Sequence, residues 1–341
     1  MAPTNRQVRL AERPEGSAMP TLRTWHFTEE PVPEPADGQV LVRNLYASID
    51  PAMRGWIRPI PTYVPPVAVG SVMRAGTVGR VVASRHPDFR EGDHVSDVAG
   101  NLGLQDYGLS DGTGLLKVDP EAAPLAAYAG GLGLNGFTAY FGLLDVGAPK
   151  PGETVLVSSA AGATGAVAGQ IARLKGCRTV GIAGGAEKCA YVADELGFDA
   201  VVDYKRGDLP AALAAACPDG IDVFFDNVGG STLDAALLRL NQRGRVVVCG
   251  AISQSGPQPE AVRLHLRLAI VHGRMEGFIA YEYRDRFPAA LAELTGWYRS
   301  GRLTLRQDLV TGLEAFPGTL ERLFTGGNFG KLVLKIAEDA P

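Results

Sequence analysis

A short turn rich in alanine and glycine is the part of the sequence whose residue types and spacing point most directly to chemistry. The apolar stretch Thr154–Ser158 leads into the turn AAGATG, and a helix-like run of small residues follows at once. The turn fits the pattern G-x-G-x-x-G with alanine at the first glycine position, and small residues there let the backbone approach a pyrophosphate. The start of the next helix favours phosphate through its N–H groups and dipole. The sequence therefore predicts dinucleotide contacts at Ala160, Gly162, Ala163, Thr164 and Gly165, and the alternative is a glycine-rich turn without a nucleotide.

The residues after the next two predicted strands indicate which dinucleotide would bind. An NAD site carries an acidic residue about 20 positions past the turn, where it takes the ribose 2′-hydroxyl. Here the second strand ends in Ala183-Gly184-Gly185 without a carboxylate, and Lys188 follows. Tyr204 and Lys205 end the third strand. A missing acid beside a cation favours the 2′-phosphate of NADP(H), although either lysine could be only a solvated charge.

Two further turns lie where ligands of open α/β sheets bind, at the carboxyl ends of predicted strands. Residues 226–230 (DNVGG) follow one such strand, and residues 249–253 (CGAIS) follow another. Each could also be ordinary turn chemistry. The four cysteines form no C-x-x-C pair, and their wide spacing predicts free thiols.

The histidines and serines form no recognisable motif for a metal site or for a catalytic nucleophile. None of the five histidines is followed by glutamate or pairs with a cysteine at ligand spacing. We therefore expect no zinc, unlike many dehydrogenases of this general layout. The nucleophile motif G-x-S-x-G is absent, which disfavours a hydrolase.

Strands and helices alternate around these motifs, which predicts βαβ units and a parallel sheet. The predicted strands are residues 154–158, 179–183, 200–202, 222–225 and 245–249. The predicted helices are residues 127–144, 163–175, 187–196, 209–216 and 232–240.

The first third of the chain contains frequent proline and glycine residues, which predicts β structure with many turns. The predicted strands are residues 40–45 and 77–84, and residues 90–95 are predicted to form a turn that leads into a strand. A strand at residues 331–336 predicts that the tail rejoins this first domain. The predicted fold is α/β, a Rossmann doubly wound parallel sheet plus a β domain. The expected domains are residues 1–128 completed by 303–341, and residues 129–302.

Composition limits the classes of partner. A chain of 341 residues exceeds one ordinary core, so two domains are expected. The net charge of −4, with no dense Lys/Arg run, argues against nucleic acid. The N-terminus lacks the apolar core of a signal peptide, and charges interrupt every apolar run. We expect a cytoplasmic protein without a membrane partner.

These motifs together resemble the medium-chain dehydrogenase/reductase superfamily and, within it, the zinc-free branch of prostaglandin reductases and NADP-dependent alkenal double-bond reductases. The resemblance spans nearly the whole chain. Besides the nucleotide turn, it is carried by residues 48–54 (SIDPAMR), 138–144 (TAYFGLL), 181–189 (GIAGGAEKC), 225–230 (FDNVGG), 249–253 (CGAIS) and 327–331 (GNFGK).

The resemblance implies a GroES-like β domain joined to a Rossmann domain, with NADPH as hydride donor and α,β-unsaturated aldehydes and ketones as substrates. It implies a homodimer formed through the nucleotide domains. The cofactor contacts implied beyond the turn are Gly184, Lys188, Tyr204, Asn227, Cys249, Ala251, Ile252, Ser253, Phe278, Ala280, Asn328 and Gly330. The implied substrate-pocket residues are Tyr46, Asp50, Met53 and Tyr63, and Tyr281 is a pocket aromatic and the candidate catalytic residue.

The chain departs from the branch at two places. Ala52 stands where the branch usually has tyrosine after Asp-Pro. Gln254-Ser255-Gly256 stands where some members carry the tyrosine proposed to assist protonation. Water, Tyr281 or Tyr46 would then supply the proton. The alternatives are a zinc-free quinone reductase and an NADPH-binding protein without turnover, whereas the histidine spacing disfavours a zinc alcohol dehydrogenase.

Overall fold

The computed structural model describes residues 4–16, 18–254 and 259–339. The chain divides into two compact units, the first of which is discontinuous in sequence. The first unit is Met1–Leu134 with Gln307–Pro341, and the second is Asn135–Arg306. The sequence alone predicts these boundaries at residues 128 and 303.

The strands and helices follow one another in a mixed order. The strands are β1 (Thr4–Leu10), β2 (Trp25–Pro31), β3 (Val40–Ser48), β4 (Thr77–Ser84), β5 (His94–Asp97), β6 (Tyr107–Ser110), β7 (Leu115–Lys117), β8 (Thr154–Ser158), β9 (Arg178–Ala183), β10 (Ala200–Asp203), β11 (Ile221–Asp226), β12 (Leu240–Val248), β13 (Arg274–Gly277), β14 (Gln307–Thr311) and β15 (Lys331–Lys335). The α-helices are α1 (Ala52–Trp56), α2 (Leu125–Tyr128), α3 (Leu134–Phe141), α4 (Ala163–Leu174), α5 (Ala186–Ala190), α6 (Leu209–Ala216), α7 (Gly230–Leu237), α8 (Arg267–Ile270), α9 (Phe287–Arg299) and α10 (Phe316–Thr325). Short 3-10 helices lie at Leu22–Thr24, Ile252–Gln254, Ala280–Arg286 and Leu313–Ala315, and π-helical segments lie at Gly142–Gly147 and Tyr191–Glu195.

The first unit is dominated by β-strands. β1 and β2 pair in antiparallel fashion, and the other strands form a seven-stranded sheet in the order β14-β15-β3-β4-β5-β7, with β6 paired to β3. β15 runs antiparallel to β3, so the C-terminal segment belongs to the same sheet as the N-terminal strands. Its core is a cluster of buried apolar side chains that includes Leu10, Trp25, Met53, Phe316 and Leu332.

The second unit contains a six-stranded parallel sheet in the order β10-β9-β8-β11-β12-β13. Counted from β8 as the first strand, the order is 3-2-1-4-5-6, which is the order of dinucleotide-binding doubly wound sheets. β8 is buried along its whole length, as expected for a central strand covered on both faces. The predicted fold class is therefore confirmed: a Rossmann-type sheet accompanies a separate β-rich unit.

The predicted helix at residues 127–144 is wrong as a single element. The chain forms α2, a turn, α3 and then the π-helical segment Gly142–Gly147. The backbone passes close to itself in that turn, because a Cβ atom on Gly133 would lie 2.1 Å from the carbonyl oxygen of Tyr128. Only glycine permits that approach of two backbone segments.

Two other predicted helices change their limits. The element expected at residues 187–196 becomes α5 followed by the π-helical segment Tyr191–Glu195. The helix expected at residues 232–240 ends at Leu237, because Leu240 already pairs with Ile221 at the start of β12. Among the described residues, no helix is both long and apolar enough to cross a membrane.

Candidate functional site

The turn between β8 and α4 is built by unusually close contacts of its backbone. Ser159 adopts φ 53°, a left-handed conformation that is uncommon outside glycine. A Cβ atom on Gly165 would lie 2.3 Å from the carbonyl oxygen of Ser159, and one on Gly162 would lie 2.8 Å from Oγ of Ser159. Ala160 is fully buried. The close backbone contacts therefore leave room only for small side chains in this turn, as the sequence motif predicts.

The N-terminus of α4 is open to an anionic ligand. Gly162 is the N-cap residue and supplies no side-chain hydrogen bond, and the first turn contains no acidic residue. The first N–H groups of an α-helix lack partners inside the helix, and the dipole gives that end positive character. The N–H groups of Ala163, Thr164 and Gly165 belong to this first turn. The narrow cradle and its uncapped helix fit the pyrophosphate of a dinucleotide.

The carboxyl end of β9 carries no acidic side chain, and a tyrosine lies there. A Cβ atom on Gly184 would lie 2.6 Å from Cε1 of Tyr204, so the ring is packed against the glycine backbone, and Tyr204 is 52% exposed. Lys188 lies in α5, which begins directly after this turn. The structure thus brings Gly184 and Tyr204 together at one edge of the sheet, with Lys188 on the helix that follows.

The nearest strand-end carboxylate is already engaged by the backbone. Oδ1 of Asp203 accepts the N–H of Gly185 at 2.9 Å and the N–H of Lys205 at 3.0 Å. These hydrogen bonds, that of Gly185 first, lower the pKa of Asp203. The Asp203 carboxylate therefore stabilises the backbone of the adjacent turns. β9 still ends without an acidic side chain that could bind a ribose 2′-hydroxyl.

The carboxyl end of β11 is organised by a buried carboxylate. Asp226 is 1% exposed and accepts hydrogen bonds from Oγ of Ser158 at 2.9 Å and from the N–H groups of Val228 and Gly229 at 2.9 and 3.0 Å. Burial raises its pKa, and these donors oppose the rise. The side-chain amide of Asn227 donates to the carbonyl of Ser158 at 2.7 Å. The ends of β8 and β11 are thereby joined at the point where the strand order reverses.

The loop after β12 is fastened to the loop after β11. The N–H of Cys249 donates to the backbone carbonyl of Asp226 at 2.9 Å. Oγ of Ser253 donates to the carbonyl of Val228 at 2.6 Å, and the N–H of Ile252 donates to the carbonyl of Asn227 at 3.3 Å. Asn227, Cys249, Ile252 and Ser253 are therefore neighbours, as expected of one ligand-binding edge.

The loop after β12 also contains Ala251, the thiol of Cys249 and Gln254. Ala251 lies between the fastened residues, and a Cβ atom on Gly229 would lie 3.4 Å from its methyl carbon. Burial, and then the charge of Asp226, raise the pKa of the Cys249 thiol to about 12, so this cysteine remains a neutral thiol at physiological pH. Gln254 ends a described 3-10 helix, whereas Ser255 and Gly256 lie outside the described residues.

The aromatic residue after β13 packs against the π-helical segment. A Cβ atom on Gly142 would lie 2.3 Å from Cζ of Phe278 and 3.0 Å from Cε2 of Phe225. Ala280 is buried, and Tyr281 is partly exposed in the 3-10 helix that follows. π-helical segments frequently occur at functional sites, and this one sets the position of the predicted cofactor residue Phe278.

The predicted pocket residues of the first unit differ in accessibility. Tyr63 is 46% exposed and accepts a hydrogen bond from Nε1 of Trp56 at 3.2 Å. Tyr46 lies in β3, opposite Lys335 of β15. The side chain of Met53 is fully buried in the apolar core of the first unit. Its place in a substrate pocket stays a prediction.

The segment before β15 holds the other predicted cofactor residues. The side-chain amide of Asn328 donates to the carbonyl of Gly330 at 3.2 Å, and Gly330 adopts φ 79°. Directly after them, Nζ of Lys331 donates to Oδ1 of Asp50 at 2.8 Å, and Asp50 also accepts a hydrogen bond from Oγ of Ser48. Asp50, Asn328 and Gly330 are thus brought into one region of the first unit.

Three residues important for this geometry were not singled out by sequence reasoning. Ser158 bonds to the end of β11 and Ser159 lies against Gly162 and Gly165, but a serine at a strand end has no distinctive sequence pattern. Lys331 belongs to a strand that alternates charged and apolar residues, yet its side chain is only 4% exposed. Its carboxylate partner lies 281 positions away in the sequence, so no local pattern indicates the pair. Among residues 4–16, 18–254 and 259–339, no His, Cys, Asp and Glu side chains form a group of three that could hold a metal ion.

Two family models match the chain, one in each unit. The model described as the N-terminal domain of oxidoreductase covers residues 6–118. The model described as zinc-binding dehydrogenase covers residues 163–296, which contains the end of the turn from Ala163 onward, the strand-end loops and Tyr281.

Known proteins are similar along nearly the whole chain. An NADPH-dependent curcumin reductase from Escherichia coli (strain K12) is 44% identical over 344 residues, covering 98% of both chains. A 2-alkenal reductase (NADP(+)-dependent) from Nicotiana tabacum is 41% identical over 312 residues, covering 90% of both. The crystal structure of CurA in complex with NADPH from Vibrio vulnificus is 41% identical, with a TM-score of 0.90, and covers 98% of this chain and 99% of that one.

Proposed function

Because the chain belongs to the medium-chain dehydrogenase/reductase superfamily, in its branch of prostaglandin reductases and alkenal double-bond reductases, we propose that it reduces the carbon–carbon double bond of α,β-unsaturated aldehydes and ketones with NADPH. The observation that carries the proposal is the tight turn at residues 160–165, placed where the strand order reverses, in a chain with this similarity to NADPH-dependent reductases. It is an oxidoreductase, and the identity of its own substrate is the open part of the proposal.

The residues of the second unit fit NADPH in two respects. The close backbone contacts of Gly162 and Gly165 leave the uncapped start of α4 to receive the pyrophosphate. At the next strand end, Lys188 and Tyr204 would receive the 2′-phosphate, where an acidic side chain would repel it. Asn227, Ser253 and Phe278 would hold the nicotinamide half.

NADPH held by these residues would supply a hydride to the β-carbon of the substrate, and a proton would add to the α-carbon. The protein's task is to orient the two reactants and to stabilise the negative charge that develops on the carbonyl oxygen. Phe278 is well suited to orientation, because its ring is wedged against Gly142 and Phe225. The fastened loops after β11 and β12 would keep the cofactor residues in place.

The proton has three possible sources in this chain. Tyr281 is the candidate catalytic residue, since its 3-10 helix follows Phe278 after only a short segment. Tyr46 of β3 and solvent water are the others. The Cys249 thiol, whose pKa is raised to about 12, is a poor nucleophile toward an enone because the thiolate is the reactive form.

The test follows the absorbance of NADPH with purified protein and three acceptors: a long-chain 2-alkenal, an aryl enone and a quinone. Oxidation with the alkenal or enone, and much slower oxidation with NADH, is the expected result. Product analysis should show a saturated carbonyl compound, not an allylic alcohol. Oxidation with the quinone alone would replace the proposal by quinone reduction. Tight NADPH binding without oxidation by any acceptor would indicate a binding protein without turnover.

A further inference from the structure

Lys331 is a buried cation that lies beside predicted site residues of the first unit. Its side chain is 4% exposed, and Nζ donates to the carbonyl of Ile49 at 2.7 Å and to Oδ1 of Asp50 at 2.8 Å. Burial lowers the pKa of Lys331, and the charge of Asp50 opposes that change. A buried ammonium group persists only with such a charged partner and hydrogen bonds.

Lys331 links three separate segments of the first unit, two through its side chain and one through its backbone. Its ammonium group meets residues 49–50, at the start of the segment that contains Ala52 and Met53. Its aliphatic part lies along Gly130, where an added Cβ atom would be 2.7 Å from Cγ of Lys331. Its backbone directly follows the predicted cofactor segment, residues 328–330.

We propose that Lys331 is a positioning residue, which holds the predicted pocket residue Asp50 in register with the predicted cofactor residues Asn328 and Gly330. The inference rests on the proposed function. A buried ion pair is a weak source of stability, and apolar residues of similar volume often stabilise a protein as well or better. What this pair supplies is a fixed geometry between two turns that are far apart in sequence. A displacement of about 1 Å between reactants can cost roughly 100-fold in rate.

The direct test is Lys331→Met, which keeps the aliphatic stem and removes the ammonium group. For the folded variant, we expect kcat of enone reduction to fall by at least about tenfold, because orientation is lost. The Kd of NADPH, measured by nicotinamide fluorescence, should change by less than about threefold, since the phosphate contacts are proposed in the other unit. Thermal unfolding without cofactor gives the folded fraction of each variant. The measured kcat is then divided by that fraction, so that it refers to folded protein alone.

Lys335→Met is the matched control. Lys335 lies on the same strand, and its Nζ is 2.6 Å from Oε1 of Glu338, whose side chain is 78% exposed. Because exposed ion pairs contribute little, this variant should keep both kcat and Kd within about twofold of the parent protein.

Gly130→Ala provides a second variant if Lys331→Met does not fold. It leaves the charge in place but forces the stem of Lys331 to move, because the added Cβ would lie 2.7 Å from Cγ. We expect kcat to fall by roughly three- to tenfold, with little change in the Kd of NADPH.

The outcomes separate this inference from the proposed function. Folded Lys331→Met with kcat within twofold of the parent overturns it, and so does a loss of activity that the smaller folded fraction explains completely. If the parent protein reduces neither alkenal nor enone, the proposed function fails. Positioning is then judged from the emission of bound NADPH: a changed spectrum in Lys331→Met but not in Lys335→Met supports it, and identical spectra overturn it.

Discussion

Oγ of Ser158 donates a hydrogen bond to Oδ1 of Asp226 at 2.9 Å. The same Ser158 Oγ accepts a hydrogen bond from the N–H of Asn227 at 2.8 Å. Ser158 and Asp226 end the adjacent parallel strands β8 and β11. One hydroxyl group therefore connects the nucleotide turn with the next ligand-binding loop. Both residues are buried, so water does not easily replace the hydroxyl.

Replacing Ser158 should weaken both the fold and cofactor binding. Ser158→Ala removes a donor from the buried carboxylate of Asp226 and an acceptor from the N–H of Asn227, which costs about 1–3 kcal/mol in the free energy of unfolding. Denaturant unfolding measures this loss, and fluorescence titration should show weaker NADPH binding. The control is Ser300→Ala, which removes a hydroxyl at the exposed end of α9 and should change stability by less than about 0.5 kcal/mol.

Gly165 is expected to tolerate no side chain. In Gly165→Ala the new Cβ atom would lie 2.3 Å from the carbonyl oxygen of Ser159, and a backbone carbonyl cannot move aside without opening the turn. We expect the Kd of NADPH to rise by at least about tenfold. Gly296→Ala is the control, because a Cβ there meets nothing within 4 Å in the middle of α9 and should stabilise the helix by about 0.5–1 kcal/mol. Equal NADPH affinity in both variants would contradict the role given to the turn.

The sequence predicts local features of this fold well because they depend on neighbours in the chain. The limits of β4, β8 and α6 agree with the pattern of apolar and small residues. The nucleotide turn was predictable because its steric demand selects glycine and alanine at fixed spacing. The strand order 3-2-1-4-5-6 then follows from the rules for βαβ units.

Features set by distant contacts were not predictable in the same way. The helix expected at residues 127–144 is interrupted by a local turn, where Gly133 lies against the carbonyl of Tyr128, and apolar periodicity does not encode that turn. Met53 matches the motif of a substrate segment, yet its side chain packs in the core. The Asp50–Lys331 pair joins residues 281 positions apart. For Met53 and for the Asp50–Lys331 pair, a tertiary contact decides where the side chain lies.

Lys188 should decide the preference between NADPH and NADH. In Lys188→Ala the proposed partner of the 2′-phosphate is lost, so kcat/KM with NADPH should fall about tenfold, a loss of roughly 1.4 kcal/mol. The value with NADH should change by less than about twofold, because NADH lacks that phosphate. Lys175→Ala, at the far end of α4 beside Glu293, is the control. A parallel loss with both cofactors would argue against a role in selectivity.

The edge of the parallel sheet is the proposed site of homodimer formation. β13 is the last strand in the sheet order and is exposed along its length. Leu266, Ile270 and Met275 are 70%, 59% and 42% exposed nearby in sequence. An exposed edge strand with apolar neighbours favours pairing with another chain.

Gel filtration with light scattering should therefore give twice the chain mass of 35.9 kDa. Met275→Glu places a charge on that edge and should raise the dissociation constant of the dimer by at least about tenfold. Leu22→Glu, at a residue of the first unit that is 77% exposed, is expected to leave the mass unchanged. A monomeric parent protein would contradict the proposal.

Asp97 should make stability depend on pH below neutrality. Its carboxylate is 1% exposed and accepts the N–H groups of Ala99, Gly100 and Leu102 at 3.1, 3.0 and 2.6 Å. Burial raises its pKa from 3.8 to about 6, although these hydrogen bonds act in the opposite direction. The folded protein thus holds this proton up to a higher pH than the unfolded chain does.

The sign of the effect follows from proton linkage. Between about pH 4 and pH 6 the unfolded state binds fewer protons at Asp97 than the folded state, so the contribution of this group to stability falls as the pH rises. The fall is at most about 3 kcal/mol, because a pKa difference of one between the folded and unfolded states corresponds to roughly 1.4 kcal/mol. Asp97→Asn cannot ionise, so its stability relative to the parent protein should improve across that window, as measured by urea unfolding. The exposed Asp37→Asn is the control. A parent-minus-variant difference that stays constant from pH 4 to pH 7 would show that the Asp97 carboxylate is not destabilised by burial, and that its three backbone donors compensate fully for the loss of water.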